Sequence, residues 1–303
     1  MKWQKLGVVF APTGGIDWMA THAAAPFVDH LGGDLYRAYF SSRDRMSRAQ
    51  VGFVDIDVTN PSAIHSISKV PVVGLGPRGS FDDAGALGGC IVNSGDRKYL
   101  FYSGWNIGGS VPFRNAIGLA VSDDAGLTFV KVSAGPILDR SIHDPAFAAG
   151  PHVLIENGTW RMWYSSCVGW REEGALLKHY YHIKYAESEN GIDWTRRGKV
   201  CIDFSSPNEY AISVPCVVRD GGTYRMWYSY RGRRYRIGYA ESPDGLHWTR
   251  FDAQAGIDVS SEGPDSDMIE YPCVFDHRGT RLMLYNGNDY GKTGICLAAL
   301  REV

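Results

Sequence analysis

The chain has 303 residues, with 31 Lys+Arg against 33 Asp+Glu, a formal net charge of −2 and 44% apolar residues. That balance gives no support for a nucleic-acid or polyanion partner, and the apolar content suffices for a full core. No apolar run approaches the ~18 residues of a membrane span, so no membrane partner is expected.

The opening MKWQKLGVVFAPTGG carries only the short apolar run VVFA, too little for a secretory segment, which favours a cytoplasmic location. The six cysteines (Cys90, Cys167, Cys201, Cys216, Cys273, Cys296) form no CxxC pair and no metal-finger spacing. They read as buried free thiols, and neither a metal nor a cofactor is expected. With 36 Gly, 12 Phe, 9 Trp and 17 Tyr and little helical periodicity, the chain reads as many short strands joined by tight turns.

In chain order, WQKLG (Trp3–Gly7) comes first, a lone strand that resembles WTRRG at Trp194–Gly198. Five copies of one pattern follow. The first is APFVDHLGGDLYRAYFSS with QVGFVDID, the second GCIVNSGDRKYLFYSG with AIGLAVSDDAGLTF. The third is GPHVLIENGTWRMWYSS with HIKYAESENGIDWTRR. The fourth, VPCVVRDGGTYRMWYSYRGRRYRIGYAESPDGLHWTR, is the clearest, and YPCVFDHRGTRLMLYNG with TGICLAA is the fifth. Aligned on Tyr39, Tyr102, Tyr164, Tyr228 and Tyr285, the copies are spaced by 63, 62, 64 and 57 residues. Each reads as four strands, A to D, with an S-x-[DN]-G-x-x-W turn between C and D. The fifth copy ends before its fourth strand, which WQKLG supplies. The expected fold is all-β: a single domain over residues 1–303, a five-bladed β-propeller of four-stranded antiparallel blades, its ring closed by the N-terminal strand.

Alternating strand direction puts the A–B and C–D turns on one face, and these are short and plain. The B–C hairpins and D–A connections share the other face and hold the unusual residues, so this face is the expected functional mouth. Asp83, Asp144, Glu209 and Glu270 come from four different repeats, at or just before strand A, and are the candidate catalytic carboxylates; paired carboxylates around a cavity are the machinery of glycoside cleavage. The competing reading is a structural ion pair with an arginine. Candidate substrate-binding residues are His22, Arg43, Trp105, Arg114, Asn115, His143, Tyr210 and Asn286. Arg43 and Arg114 suit a carboxylate or phosphate, and Trp105 suits the apolar face of a sugar. SDDAGLTF (Ser122–Phe129) matches the Asp-box turn of sialidases and reads as a turn stabiliser.

The S-x-D-G-x-x-W turns, the MWYS and IGYAES strands and the circular closure resemble the five-bladed propeller glycosidases of the arabinanase/xylosidase, invertase-like and mannoside phosphorylase families. THAAAP, FDDAG, PFRNAIGLA, SIHDP, NEYAI, DMIEYP and YNGNDYGKTG look more like the bacterial "glycosylase" proteins found with surface-polysaccharide genes. They also resemble the propeller joined to plant glucosaminyl inositolphosphorylceramide transferases. The resemblance implies a carbohydrate-binding hydrolase, a glycosidase acting on a sugar or oligosaccharide, with Asp144 as proton donor and Asp83 as its ionised partner. It departs from the family pattern in offering His22, with Asp17 upstream, on the first blade and His143–Asp144 in place of a Glu on the third. The alternatives are a glycosidic phosphorylase, or a non-catalytic module binding a glycan or nucleotide sugar in polysaccharide synthesis. Acids locked to arginines would favour the binding module. The sugar, its linkage and the oligomeric state are not readable from the sequence.

Overall fold

The computed structural model describes residues 1–174 and 176–301; the last two residues of the expected domain lie outside them. The fold is all-β. A lone strand β1 (Trp3–Phe10) precedes four antiparallel units of four strands. These are β2–β5 (Thr21–Gly32, Leu35–Arg43, Ala49–Asp57, Asn60–Ile67) and β6–β9 (Gly85–Ser94, Arg97–Ile107, Phe113–Ser122, Val130–Lys131). The next are β10–β13 (Phe147–Glu156, Thr159–Glu173, Leu176–Ser188, Thr195–Ile202) and β14–β17 (Ala211–Asp220, Thr223–Arg231, Tyr235–Ser242, Thr249–Arg250). A fifth unit begins with β18–β20 (Glu270–His277, Thr280–Asn286, Ile295–Leu300), and its fourth strand is β1, which pairs antiparallel to β20 with Trp3 opposite Leu300.

The second strand of each unit is rich in aromatic and apolar residues, as in TYRMWYSYR of β15, and is buried along most of its length. Such residues suit a pleated surface covered on both sides. The apolar clusters accordingly lie between neighbouring units: Trp3, Trp227, Tyr239, Met283 and Tyr285 pack together, as do Phe10, Phe40, Ile56 and Leu284. The C–D turns hold themselves. Ser242 Oγ accepts from the Gly245 N–H at 2.8 Å, Asp244 accepts from the His247 N–H at 2.8 Å, and Trp248 Nε1 donates to the Gly245 carbonyl at 2.9 Å. Ser122–Asp124–Thr128 builds the same turn.

The first strands of the units pack in cyclic order, β2 on β6, β6 on β10, β10 on β14, β14 on β18 and β18 on β2. Each carries a β-bulge near its start, which turns one N–H out of its own ladder. That N–H donates to a side chain of the preceding unit. Gly88 bonds Ser41, Gly150 bonds Ser103, Val214 bonds Ser165 and Tyr271 bonds Ser229, at 2.8, 2.8, 3.3 and 2.7 Å. The fifth bond returns to the start, from the Ala25 N–H to Asn286 Oδ1 at 2.8 Å. These contacts also correct the repeat alignment. With Ser41 matched to Ser103, the residue matching Tyr102 is Phe40 rather than Tyr39. Tyr39 OH instead donates to the Gly126 carbonyl of the next unit at 2.9 Å.

Candidate functional site

A cavity of about 400 Å³ opens where first strands and B–C hairpins meet, on the face the strand order predicts. Its floor follows the repeat. The residue preceding each inter-unit N–H is Ala24, Leu87, Ala149 or Ser213 in the first four units, and all four line the cavity. In the fifth unit the matching residue is Glu270, followed by Tyr271 in the wall. Val214 and Tyr271 hold left-handed backbone angles, φ 47° and 54°, costly for side chains of that size, so local strain gathers at this site. The walls are aromatic: Trp105, Phe113, Phe147, Tyr181, Tyr271, Tyr290 and the His179 imidazole. A Cβ at Gly85 would sit 1.9 Å from Trp105 Nε1, so glycine is what lets the indole lie there.

Three of the expected binding residues, Arg43, Trp105 and Asn115, stand in the wall. Arg114 does not. It lies on β8 between the wall residues Phe113 and Asn115, and side-chain alternation along a strand turns it to the exposed side. Asn286 is fully buried with its amide engaged by the Ala25 N–H and the Ala23 and Gly294 carbonyls, which makes it a ring fastener. His143 lies off the wall against Gly198. Tyr210 lies under the Arg231 guanidinium, 4.8 Å from ring centroid to Cζ. His22, half-buried, is pushed down to about 4 by burial and then by the Arg43 and Lys292 charges, so its ring is neutral at pH 7.

The carboxylates divide sharply. Asp144 is fully buried, off the cavity wall, accepting from Tyr164 OH at 3.0 Å and Arg196 at 2.9 Å, with Lys184 at 3.9 Å. This arrangement recurs. Asp82 takes Tyr102 OH at 2.9 Å and Lys131 at 2.6 Å, and Asp265 takes Tyr285 OH at 2.8 Å and Lys5 of β1 at 2.6 Å. In each case the acid precedes its tyrosine by 20 residues and the base comes from the unit's fourth strand. Glu209 is held by both Arg250 Nη atoms, at 2.8 and 2.7 Å. Asp83 accepts from the Gly79 N–H at 2.8 Å and lies outside the wall. Asp144, Glu209 and Asp83 are therefore held by their own loops and arginines, and the proton-donor and partner roles expected of Asp144 and Asp83 have no geometric support. Asp144→Asn leaves the buried Lys184 and the half-buried Arg196 without their counter-charge and is expected to cost about 3 kcal/mol, roughly 6–12 °C in melting temperature. Thermal melts of the variant check this; an unchanged melting temperature would contradict the clamp.

Glu270 stands apart. It is fully buried, and neither carboxyl oxygen has a hydrogen-bond partner among the described residues. Burial raises its pKa well above the usual 4.5, outweighing the nearby positive charges of Arg231 and Arg43. Arg231 donates to Tyr290 OH at 2.8 Å, while its Nε is buried without a partner. The His179 imidazole is pushed down to about 4 by burial and Arg231, and its Nδ1 is also unpartnered. His179, Tyr181, Tyr271 and Tyr290 escaped the sequence reading, although KHYYH and EYP sit in the two loop classes that hold the unusual residues.

No family model matches the chain. It is 46% identical over 302 residues, the whole of both chains, to two uncharacterised proteins of Mycobacterium tuberculosis, Rv1502 and MT1551. Among solved structures, a glycoside hydrolase superposes with TM-score 0.78 at 17% identity, covering 99% of this chain and 92% of the other. A Xanthomonas citri GH43_1 enzyme complexed with xylotriose gives 0.67 at 13%, covering 99% and 91%. A Bombyx mori GH32 β-fructofuranosidase gives 0.65 at 15%, covering 92% and 61%. The fold is thus the β-propeller of the glycoside hydrolases.

Proposed function

We propose that this chain, which belongs to the family of the Mycobacterium tuberculosis proteins Rv1502 and MT1551, is a single-domain, five-bladed β-propeller that binds a glycan or sugar conjugate in its axial cavity. The observation that carries this is the wall itself: aromatic faces interleaved with Ser41, Ser103, Asn115, Ser165 and Ser213 around one guanidinium. Apolar ring faces of sugars stack on aromatics while hydroxyls need short polar groups. The locked state of Asp144 and Glu209 favours recognition over two-carboxylate cleavage. Titration against an oligosaccharide panel by calorimetry tests it. Trp105→Ala is expected to weaken the best binder roughly three- to tenfold while leaving the melting temperature within about 2 °C. Absence of any sugar binding by the wild type would sink the reading.

A second reading, cleavage, is favoured by Glu270. A carboxyl whose pKa burial raises well above the usual range is what a general acid requires. Glu270 would protonate the leaving glycosidic oxygen as its bond to the anomeric carbon breaks, while phosphate, or water that releases its proton to solvent, forms the new bond to that carbon. Nitrophenyl glycosides and surface-glycan oligosaccharides, each with and without phosphate, distinguish hydrolysis, phosphorolysis and binding alone.

A further inference from the structure

The charge of the cavity is lopsided. Among the described residues its wall holds one guanidinium, Arg43, and no carboxylate. Arg43 has no ready counter-charge in its own hairpin, because the adjacent Asp44 is turned into an ion pair with Arg48 at 2.7 Å. Among the described residues no carboxylate lies within 4.0 Å of the Arg43 guanidinium. The charge of Arg43 acts on Glu270 without a hydrogen bond to it, and Glu270 is itself buried unpaired. Arg231 adds a second positive charge, which among the described residues is met only by Tyr290 OH and by the faces of Tyr210 and Tyr235, 4.8 and 4.6 Å away. The neighbouring histidines, His22 and His179, are neutral at pH 7. Elsewhere in this fold arginines near acids are paired with them: Arg37 with Asp55 at 2.8 Å, Arg196 with Asp144 at 2.9 Å and Arg250 with Glu209 at 2.7 Å. Leaving a half-buried guanidinium unpaired beside an apolar cavity does not help stability, because its donors lose water without gaining an acceptor. It does suit an anion that arrives with the ligand.

We propose that the sugar this cavity selects carries an anionic group, a carboxylate or a phosphate, which docks on Arg43 while the ring stacks among Trp105, Phe113 and Phe147. This rests on the reading of the cavity as a sugar site. A planar guanidinium takes either group through two parallel hydrogen bonds, and the aromatic wall excludes the water that would otherwise screen them.

The test is calorimetric titration of the full chain with matched probes: methyl glucuronide against methyl glucoside, methyl galacturonide against methyl galactoside, glucose 1-phosphate, and inorganic phosphate alone. At least one acidic sugar is expected to bind tenfold or more tighter than its neutral counterpart, roughly the weight of one charge-assisted hydrogen bond. Arg43→Gln removes that difference, whereas Arg45→Gln, at an exposed position of the same hairpin, leaves it. The uronide and phosphate arms tell the two anion sources apart. Neutral sugars binding as well as acidic ones would overturn the proposal and leave the sugar site standing. Binding of inorganic phosphate without any acidic sugar would also overturn it, since the anion would then not be part of the sugar. If no sugar binds at all, the sugar site falls as well. A difference that persists in Arg43→Gln, or vanishes equally in Arg45→Gln, would assign the selectivity to general surface charge.

Discussion

Deleting residues 1–10 should leave the protein insoluble or lower its melting temperature by at least roughly 10 °C, although the segment is only one strand. Trp3 is 6% exposed, donates through Nε1 to the Ala255 carbonyl at 3.0 Å and meets Trp227 edge-on at 6.2 Å. Phe10 packs on Phe40 at 5.0 Å. Lys5 is the basic member of the acid–tyrosine clamp of the fifth unit, so its loss leaves Asp265, 4% exposed, without its cation. The deletion also bares β20 as an unpaired edge beside Ala298 and Met283, a template for association. Trp3→Ala isolates the packing part in a chain that keeps the strand, at about 3–5 kcal/mol for a buried aromatic. Differential scanning calorimetry of both forms measures this; a truncated protein that melts with the wild type would show that β1 is an ornament on a ring held by other contacts.

That strand was legible in the sequence because WQKLG matches WTRRG, the fourth strand of the third repeat, while the fifth repeat shows only three strands of its own. Repetition made the architecture readable: turn chemistry such as Ser242–Asp244–Gly245–Trp248 recurs with its hydrogen bonds intact. Repetition also explains the errors. Tyr39 and Phe40 are both aromatic, and only the inter-unit bond from Gly88 to Ser41 shows which one matches Tyr102. Asp144 looked catalytic because it stands on the third repeat, where the glycosidases it resembles place their acid. Its partners Tyr164 and Arg196 lie 20 and 52 residues away, and pairing across that separation is not written in local sequence. Yet a sign was present. Asp82, Asp144 and Asp265 each precede an aligned tyrosine by 20 residues, and a feature shared by several units of a repeat serves the repeat. Glu270 replaces the cavity residues Ala24, Leu87, Ala149 and Ser213 at the matching position, so it breaks the repeat next to Tyr271 of the wall. The departure from the pattern, not the pattern, marks the site.

Glu270→Gln is accordingly expected to make the protein more stable at neutral pH and less able to work. The groups that act on Glu270 are the guanidiniums of Arg231 and Arg43, which favour its charge, and burial, which opposes it and prevails. The hydroxyls of Tyr181, Tyr235 and Tyr271 lie within its field and have their own pKa values raised by burial, so they stay neutral. A carboxyl whose folded pKa is raised binds its proton more tightly folded than unfolded. Its contribution is therefore fully favourable below the unfolded value near 4.5 and is lost as pH rises towards the folded value. Glutamine has no proton to lose. The variant and wild type should melt alike near pH 4, and the variant should gain with rising pH, by up to about 1.4 kcal/mol for each pH unit over which the wild type holds its proton above the unfolded value. Sugar affinity should fall in the same variant, and where the chain cleaves its ligand, turnover should fall by roughly 10²–10⁴-fold. Chemical denaturation at several pH values, run beside titration or assay of the same preparations, reads both effects. Loss of stability at pH 7 would mean that Glu270 serves as the counter-ion of Arg231 and Arg43 and holds the ring together. A gain in stability with undiminished binding and turnover would mean that the unpartnered carboxyl takes no part in what the cavity does.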